Sequence, residues 1–112
     1  MHSKWRTLST IVVLGSLSTA LHAQPAGSAP APLEVAKKNL CLSCHTVNKK
    51  LVGPSFQDIA EKYNGQADAA TKLKESIGRG SKMKYGAVPM PPQPVSDADM
   101  QVLVPWILGG AK

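Results

Sequence analysis

Cysteine and aromatic rings are both scarce in this sequence. Among its 112 residues there are two cysteines, two tryptophans, two tyrosines and one phenylalanine. The cysteines are Cys41 and Cys44, and the histidines other than His45 are His2 and His22 near the N-terminus. Zinc would need a second pair of ligands at suitable spacing, and the rest of the chain offers none. No segment has the two-residue alternation of a strand, so an all-α fold is expected and the βαβ setting of a thioredoxin-like dithiol is missing. Acidic residues are few as well, seven against thirteen Lys and Arg, for a formal charge of +6. No basic patch is interleaved with aromatics and no nucleic-acid module is present, so nucleic acid is not an expected partner.

Long hydrophobic runs are missing too. The stretch Thr7 to Ala20 is uncharged and mostly apolar, but it is interrupted by polar residues and falls short of the ~20 apolar residues of a spanning helix. With Lys4 and Arg6 before it and Ala23 after it, the stretch reads as a secretory signal peptide over residues 1–23, cut between Ala23 and Gln24. No cysteine follows closely enough for a lipid anchor, no twin arginine is present, and the periplasm is the expected destination. Removing 23 of 112 residues leaves 89 and, with Lys4 and Arg6 gone, a charge of +4. One domain of that size buries a modest core and usually needs a disulfide, a metal or a cofactor to hold it.

The staple is visible at Cys41-Leu42-Ser43-Cys44-His45. Two thiols three positions apart can each add to a haem vinyl group, and the adjacent histidine is placed to ligate the iron, so C-x-x-C-H reads as c-type haem attachment. C-x-x-C alone also fits a redox dithiol, half a zinc site or a simple disulfide. Only Phe56, Tyr63, Tyr85 and Trp106 remain as aromatics after export, and haem would supply the large flat apolar body these few rings do not.

Along the expected mature chain, residues 24–32 are rich in Ala and Pro and read as an extended lead-in. A domain over 33–112 follows. Its first helix begins at Leu33, with Leu33, Ala36 and Leu40 on one face, and leads into the cysteine turn. Thr46 to Ser55 is loop. Phe56, Ile59, Ala60 and Tyr63 mark a second helix, stopped by Asn64-Gly65. A third runs from about Asp68 to Ile77, with Ala70, Leu73 and Ile77 inward, Asp68 as its cap, and Gly78 and Gly80 closing it. The last opens at Ser96 with Asp99 as a capping-box partner, and carries Met100, Leu103, Val104 and Ile107 inward. Pro105 predicts a kink or a break after Val104.

Between the last two helices lies a loop, Ser81 to Pro94, holding four of the nine prolines. Its apolar residues suggest that it covers something, and a loop that long in a small domain is usually functional or disordered. Met90 stands in it between Pro89 and Pro91-Pro92, whose fixed φ angles would hold the thioether in one place as a second iron ligand. Met100 belongs to the helix stripe, and Met83 sits between two lysines at the periphery.

Three motifs in this order resemble a small class I cytochrome c of the bacterial c-551/c8 type over residues 33–112: Cys41 to His45, Leu51-Val52-Gly53-Pro54-Ser55, and Tyr85-Gly86-Ala87-Val88-Pro89-Met90-Pro91-Pro92-Gln93. The resemblance implies about four helices around one covalent haem, with thioethers at Cys41 and Cys44. It makes His45 the proximal ligand, bonded to the Pro54 carbonyl, and Met90 the distal ligand. Tyr85 and Ser81 are implied as propionate partners. Ser76 stands where family members often carry a basic residue, and Arg79 is the substitute suggested by the sequence.

The function this implies is a monomeric periplasmic electron carrier, not an enzyme, without stable membrane association. Its expected donor is a quinol-oxidising complex, and its acceptor a terminal oxidase, a nitrite reductase or a peroxidase. Lys37, Lys38, Lys49, Lys50, Lys82 and Lys84 would steer docking to an acidic partner. Two alternatives stand beside it: a haem sensor or enzyme with an open iron position, and a haem-free thiol–disulfide protein.

Overall fold

The computed structural model describes residues 27–112; the expected signal peptide and cleavage site lie outside them. Four α-helices follow in order: α1 (Pro32–Lys38), α2 (Phe56–Tyr63), α3 (Ala69–Arg79) and α4 (Asp97–Leu108), with a 3₁₀ turn at Cys41–Ser43 between α1 and α2. Among the described residues the only extended pairing is a single antiparallel bridge between Ser81 and Met90.

The hub is α4, which packs against each of the other three helices. Met100, Leu103, Val104 and Ile107 are all buried on it, as the helical stripe predicts. They meet Val35 and Ala36 of α1, Phe56, Ile59 and Tyr63 of α2, and Leu73 and Ile77 of α3 in one cluster. Each such side chain contributes on the order of 1.5–3 kcal/mol by leaving water.

Several local expectations are corrected. On α1 the inward residues are Val35 and Ala36, while Leu33 and Leu40 are exposed. The helix stops at Lys38, too early to carry Leu40 on its face. On α3 Ala70 faces solvent, and its neighbour Ala69 packs on the core. Gly78 lies within α3, and only Gly80, at φ 78°, closes it. Asp68 makes no side-chain cap; its carboxylate pairs with Lys72 at 3.1 Å.

At α4, Ser96 Oγ accepts the Asp99 amide at 3.1 Å, but Asp99 does not return the bond. Its carboxylate instead accepts from Lys38 Nζ and Asn39 Nδ2, both at 3.0 Å, tying α4 to the end of α1. The complete capping box is on α2, where Ser55 and Asp58 exchange two 3.0 Å bonds. The break expected after Val104 does not occur, and α4 continues through Pro105 to Leu108. Pro105 is exposed, and the carbonyl it leaves unpaired belongs to Gln101, also exposed, where water can take the place of the lost donor.

Candidate functional site

The end of α1 sets the first part of the site. Leu40 has φ 58°, a left-handed conformation that costs a non-glycine residue roughly 1–2 kcal/mol. It turns the chain directly into the 3₁₀ turn, where the amides of Cys44 and His45 both bond to the Cys41 carbonyl. The two thiols are free, Cys41 half-buried and Cys44 exposed. Burial pushes the Cys41 thiol up, against a smaller lowering by a backbone hydrogen bond.

His45 is 8% exposed, and its ring is held on three sides. Nδ1 lies 2.7 Å from the Pro54 carbonyl oxygen, so Nδ1 donates the proton and Nε2 keeps its lone pair. The ring stacks on Phe56 at 5.5 Å, and Phe56 in turn meets Trp106 of α4 edge-on at 5.3 Å. Gly53 fills the third side and anchors its own segment by donating to the Cys44 carbonyl at 2.8 Å.

The loop from Ser81 to Pro94 is not structureless. Ser81 and Met90 exchange both backbone bonds, at 3.0 and 2.8 Å, so the chain leaves and returns at one point. Gly80 is needed there: a β-carbon would meet the Met90 carbonyl oxygen at 2.5 Å.

These segments enclose an apolar cleft of about 1120 Å³, including its open mouth. Cys41, Cys44, His45, Pro54, Ser81, Tyr85 and Met90 all line it. Met90 is the one methionine that does so among the described residues; Met100 is in the core and Met83 is exposed. No cluster of His, Cys, Asp and Glu suited to a bare metal ion occurs among the described residues, which leaves the zinc reading without a ligand set.

The Tyr85 hydroxyl is buried against the cleft with no hydrogen-bond partner, and burial, with smaller contributions from Tyr63 and Asp58, pushes its phenol up to about 12. An orphaned donor facing an apolar slot beside two free thiols and an imidazole with an available nitrogen suits haem, whose carboxylates can accept that bond. Arg79 is exposed and does not line the cleft, correcting the expectation that it replaces a basic residue at position 76. The cation that lines the cleft is Lys84. By its sequence position Lys84 belongs with the surface lysines, but its ammonium turns inward to Tyr63 and Ser76.

The profile described as "Cytochrome c" matches residues 34–111. This chain belongs to the cytochrome c family. It is 51% identical over 84 residues to cytochrome c-552 of Nitrosomonas europaea, covering 74% of this chain and 82% of that one. It is 38% identical over 96 residues to cytochrome c-551 of Pseudomonas aeruginosa, covering 86% and 92%. The crystal structure of wild-type Nitrosomonas europaea cytochrome c552 superposes with a TM-score of 0.66 at 50% identity, over 69% of this chain and 96% of that one. The class 1 cytochrome MtoD from Sideroxydans lithotrophicus gives 0.61 at 32% identity, over 73% and 95%.

The resemblance to a class I cytochrome c of the c-551/c8 type holds, the relatives being cytochromes c-551 and c-552, and so does the all-α fold. As a cytochrome c, the protein carries one haem c bound covalently through Cys41 and Cys44, and its work is electron transfer between redox partners, not catalysis of a substrate's conversion. The thiol–disulfide reading falls with that.

Proposed function

We propose that this cytochrome carries single electrons between respiratory redox partners in the periplasm, with His45 and Met90 as the two axial ligands. The observation that carries the reading is the place of Met90. Among the described residues it is the one methionine lining the cleft that His45 lines, and two backbone bonds to Ser81 fix it there. Haem c held there would supply the one-electron redox chemistry.

The chain's own residues then do three things. Pro54 holds the His45 ring through Nδ1, which fixes its orientation and raises the basicity of Nε2. Met90 adds thioether sulfur, which favours the reduced state and raises the potential. With both bound to the iron, they would leave no coordination position for substrate, in keeping with a carrier.

Exposed Leu40, Val52, Val88 and Cys44 rim the cleft, with exposed Lys49, Lys50 and Lys82 in the adjoining loops. This is a small apolar contact patch with steering charge, suited to a transient, salt-sensitive encounter. A quinol-oxidising complex as donor, and a terminal oxidase, nitrite reductase or peroxidase as acceptor, fit a monomeric exported carrier. Residues 1–23 supply the export signal. No helix among the described residues is long and apolar enough to cross a membrane.

The test is an absorption spectrum of the exported protein and of Met90→Ala, oxidised and reduced. The parent is expected to show c-type α and β bands on reduction and the weak red-edge band of Met–Fe(III) ligation when oxidised. Met90→Ala should lose that weak band, drop in potential and bind CO when reduced. A parent that already binds CO rapidly would replace this reading with the open-position sensor or enzyme.

A further inference from the structure

One wall of the cleft gathers hydrogen-bond donors with no acid among them. Lys84 Nζ donates to the Tyr63 hydroxyl at 2.8 Å and to Ser76 Oγ at 2.7 Å, which uses two of its three N–H groups. Ser76 passes its own proton to the Lys72 carbonyl at 2.9 Å, and Tyr63 lies only within a long 3.5 Å contact of Ser76. The Tyr85 hydroxyl beside them is buried and unpartnered. Lys62 sits 4.2 Å from the centre of the Tyr85 ring and donates to the Lys84 carbonyl at 2.6 Å, which anchors the backbone of this segment. Asp58, the acid whose charge reaches Tyr85, is already engaged with the Ser55 amide.

Among the described residues, Lys84 is the sole lysine or arginine that lines the cleft, and no aspartate or glutamate lines it. An ammonium on an apolar wall is poorly solvated and favours an anion beside it. The third N–H of Lys84, the Tyr63 O–H and the Tyr85 O–H are the donors such an anion would meet.

We infer that this cluster seats a haem carboxylate and that Lys84, delivered by the loop and not by α3, is its counter-charge. The inference rests on the haem occupying this cleft, as in the proposed function. Lys84 is a positioning and tuning residue, acting through the carboxylate and not on the iron. Its charge offsets that of the carboxylate, which by itself would favour the oxidised state.

The test compares reduction potential against pH, by spectroelectrochemistry on the haem-loaded protein, for the parent, Lys84→Met, Lys84→Gln and Lys84→Arg. Lys74→Met, an exposed lysine on α3 outside the cleft lining, controls for simple loss of charge. The potentials of Lys84→Met and Lys84→Gln should fall further than that of Lys74→Met. The pH at which the potential bends should rise by roughly 1–3 units, as expected when a carboxylate loses a neighbouring cation. Lys84→Arg should return both toward the parent. Lys84→Gln keeps a donor and reads the same loss of charge if Lys84→Met fails to fold. Curves for the Lys84 variants that superimpose on that of Lys74→Met would overturn the inference. A parent without a Soret band would sink the underlying reading as well, whereas a normal parent spectrum with unmoved variants sinks the inference alone.

Discussion

Gly53 lies so close to the imidazole of His45 that a β-carbon at its position would sit 2.5 Å from Cε1 and 2.9 Å from Nδ1. The ring is therefore seated against bare backbone on one side and against Phe56 on the other. Any side chain at position 53 would push the imidazole away from the Pro54 carbonyl.

Gly53→Ala is accordingly expected to destabilise the protein by roughly 1–3 kcal/mol, the usual range for overpacking. The same displacement should alter the ligand-field bands of the oxidised protein. Chemical denaturation followed at the haem and in the far ultraviolet measures the first, and the oxidised spectrum the second. An alanine variant with parental stability and spectrum would mean that the ring has room to move.

Ser55 caps α2 and directly follows the residue that holds His45. It is 1% exposed and forms both bonds of a capping box with Asp58. Ser55→Ala should therefore lower stability by about 0.5–2 kcal/mol. Ser55→Asp or Ser55→Thr would retain the accepting oxygen but must fit a buried site, so alanine is the cleaner probe. Denaturant midpoints with unchanged m-values would read the loss.

Asp99 predicts a specific acid sensitivity. Hydrogen bonds from Asn39 and then Lys38 hold its carboxyl below the usual range, with burial opposing them. A depressed folded-state pKa adds stability that is fully present above the unfolded value of about 3.9 and is lost as pH falls through the lower folded value. Asp99→Asn removes this contribution, so the variant should be less stable than the parent at neutral pH. The gap between their melting temperatures should narrow on acidification below about pH 4. A gap that is constant with pH would assign the loss to packing alone.

The two described tyrosines should ionise apart. Burial pushes the Tyr63 phenol up, but the hydrogen bond from Lys84, the long contact with Ser76 and the charges of Lys84 and Lys62 outweigh it and leave it lowered. Tyr85 is pushed up to about 12. An ultraviolet pH titration should show Tyr63 titrating first, and Tyr63→Phe should remove the earlier step while leaving the later one. Loss of the later step in that variant would reverse the assignment.

Much of this architecture was legible in the sequence because the signals were local. The stripe Met100, Leu103, Val104, Ile107 needed only helical spacing, and the cysteine turn and proline-clamped Met90 needed only their neighbours. The failures involve partners distant in the chain. Asp99 has the spacing of a capping box, but Lys38 and Asn39, some sixty residues earlier, take its carboxylate. Leu33 and Leu40 share a helical face on paper, yet α1 ends before Leu40 reaches it. Lys84 looked like any surface lysine because its acceptors, Tyr63 and Ser76, come from two other helices. The Ser55 capping box was within reach, since Ser-x-x-Asp before an apolar run is a recognised helix start.

The paired bonds between Ser81 and Met90 make residues 82–89 a detour that rejoins the backbone where it left. The sulfur-bearing residue is thereby insulated from what the detour contains. Insertions, deletions or changes of charge there need not be transmitted to position 90, because its amide and carbonyl are pinned to a fixed base beside Gly80. One short segment can thus be rewritten to adjust the cleft's surroundings or its rim while Met90 stays put, and this chain has placed its cleft-lining lysine in that segment.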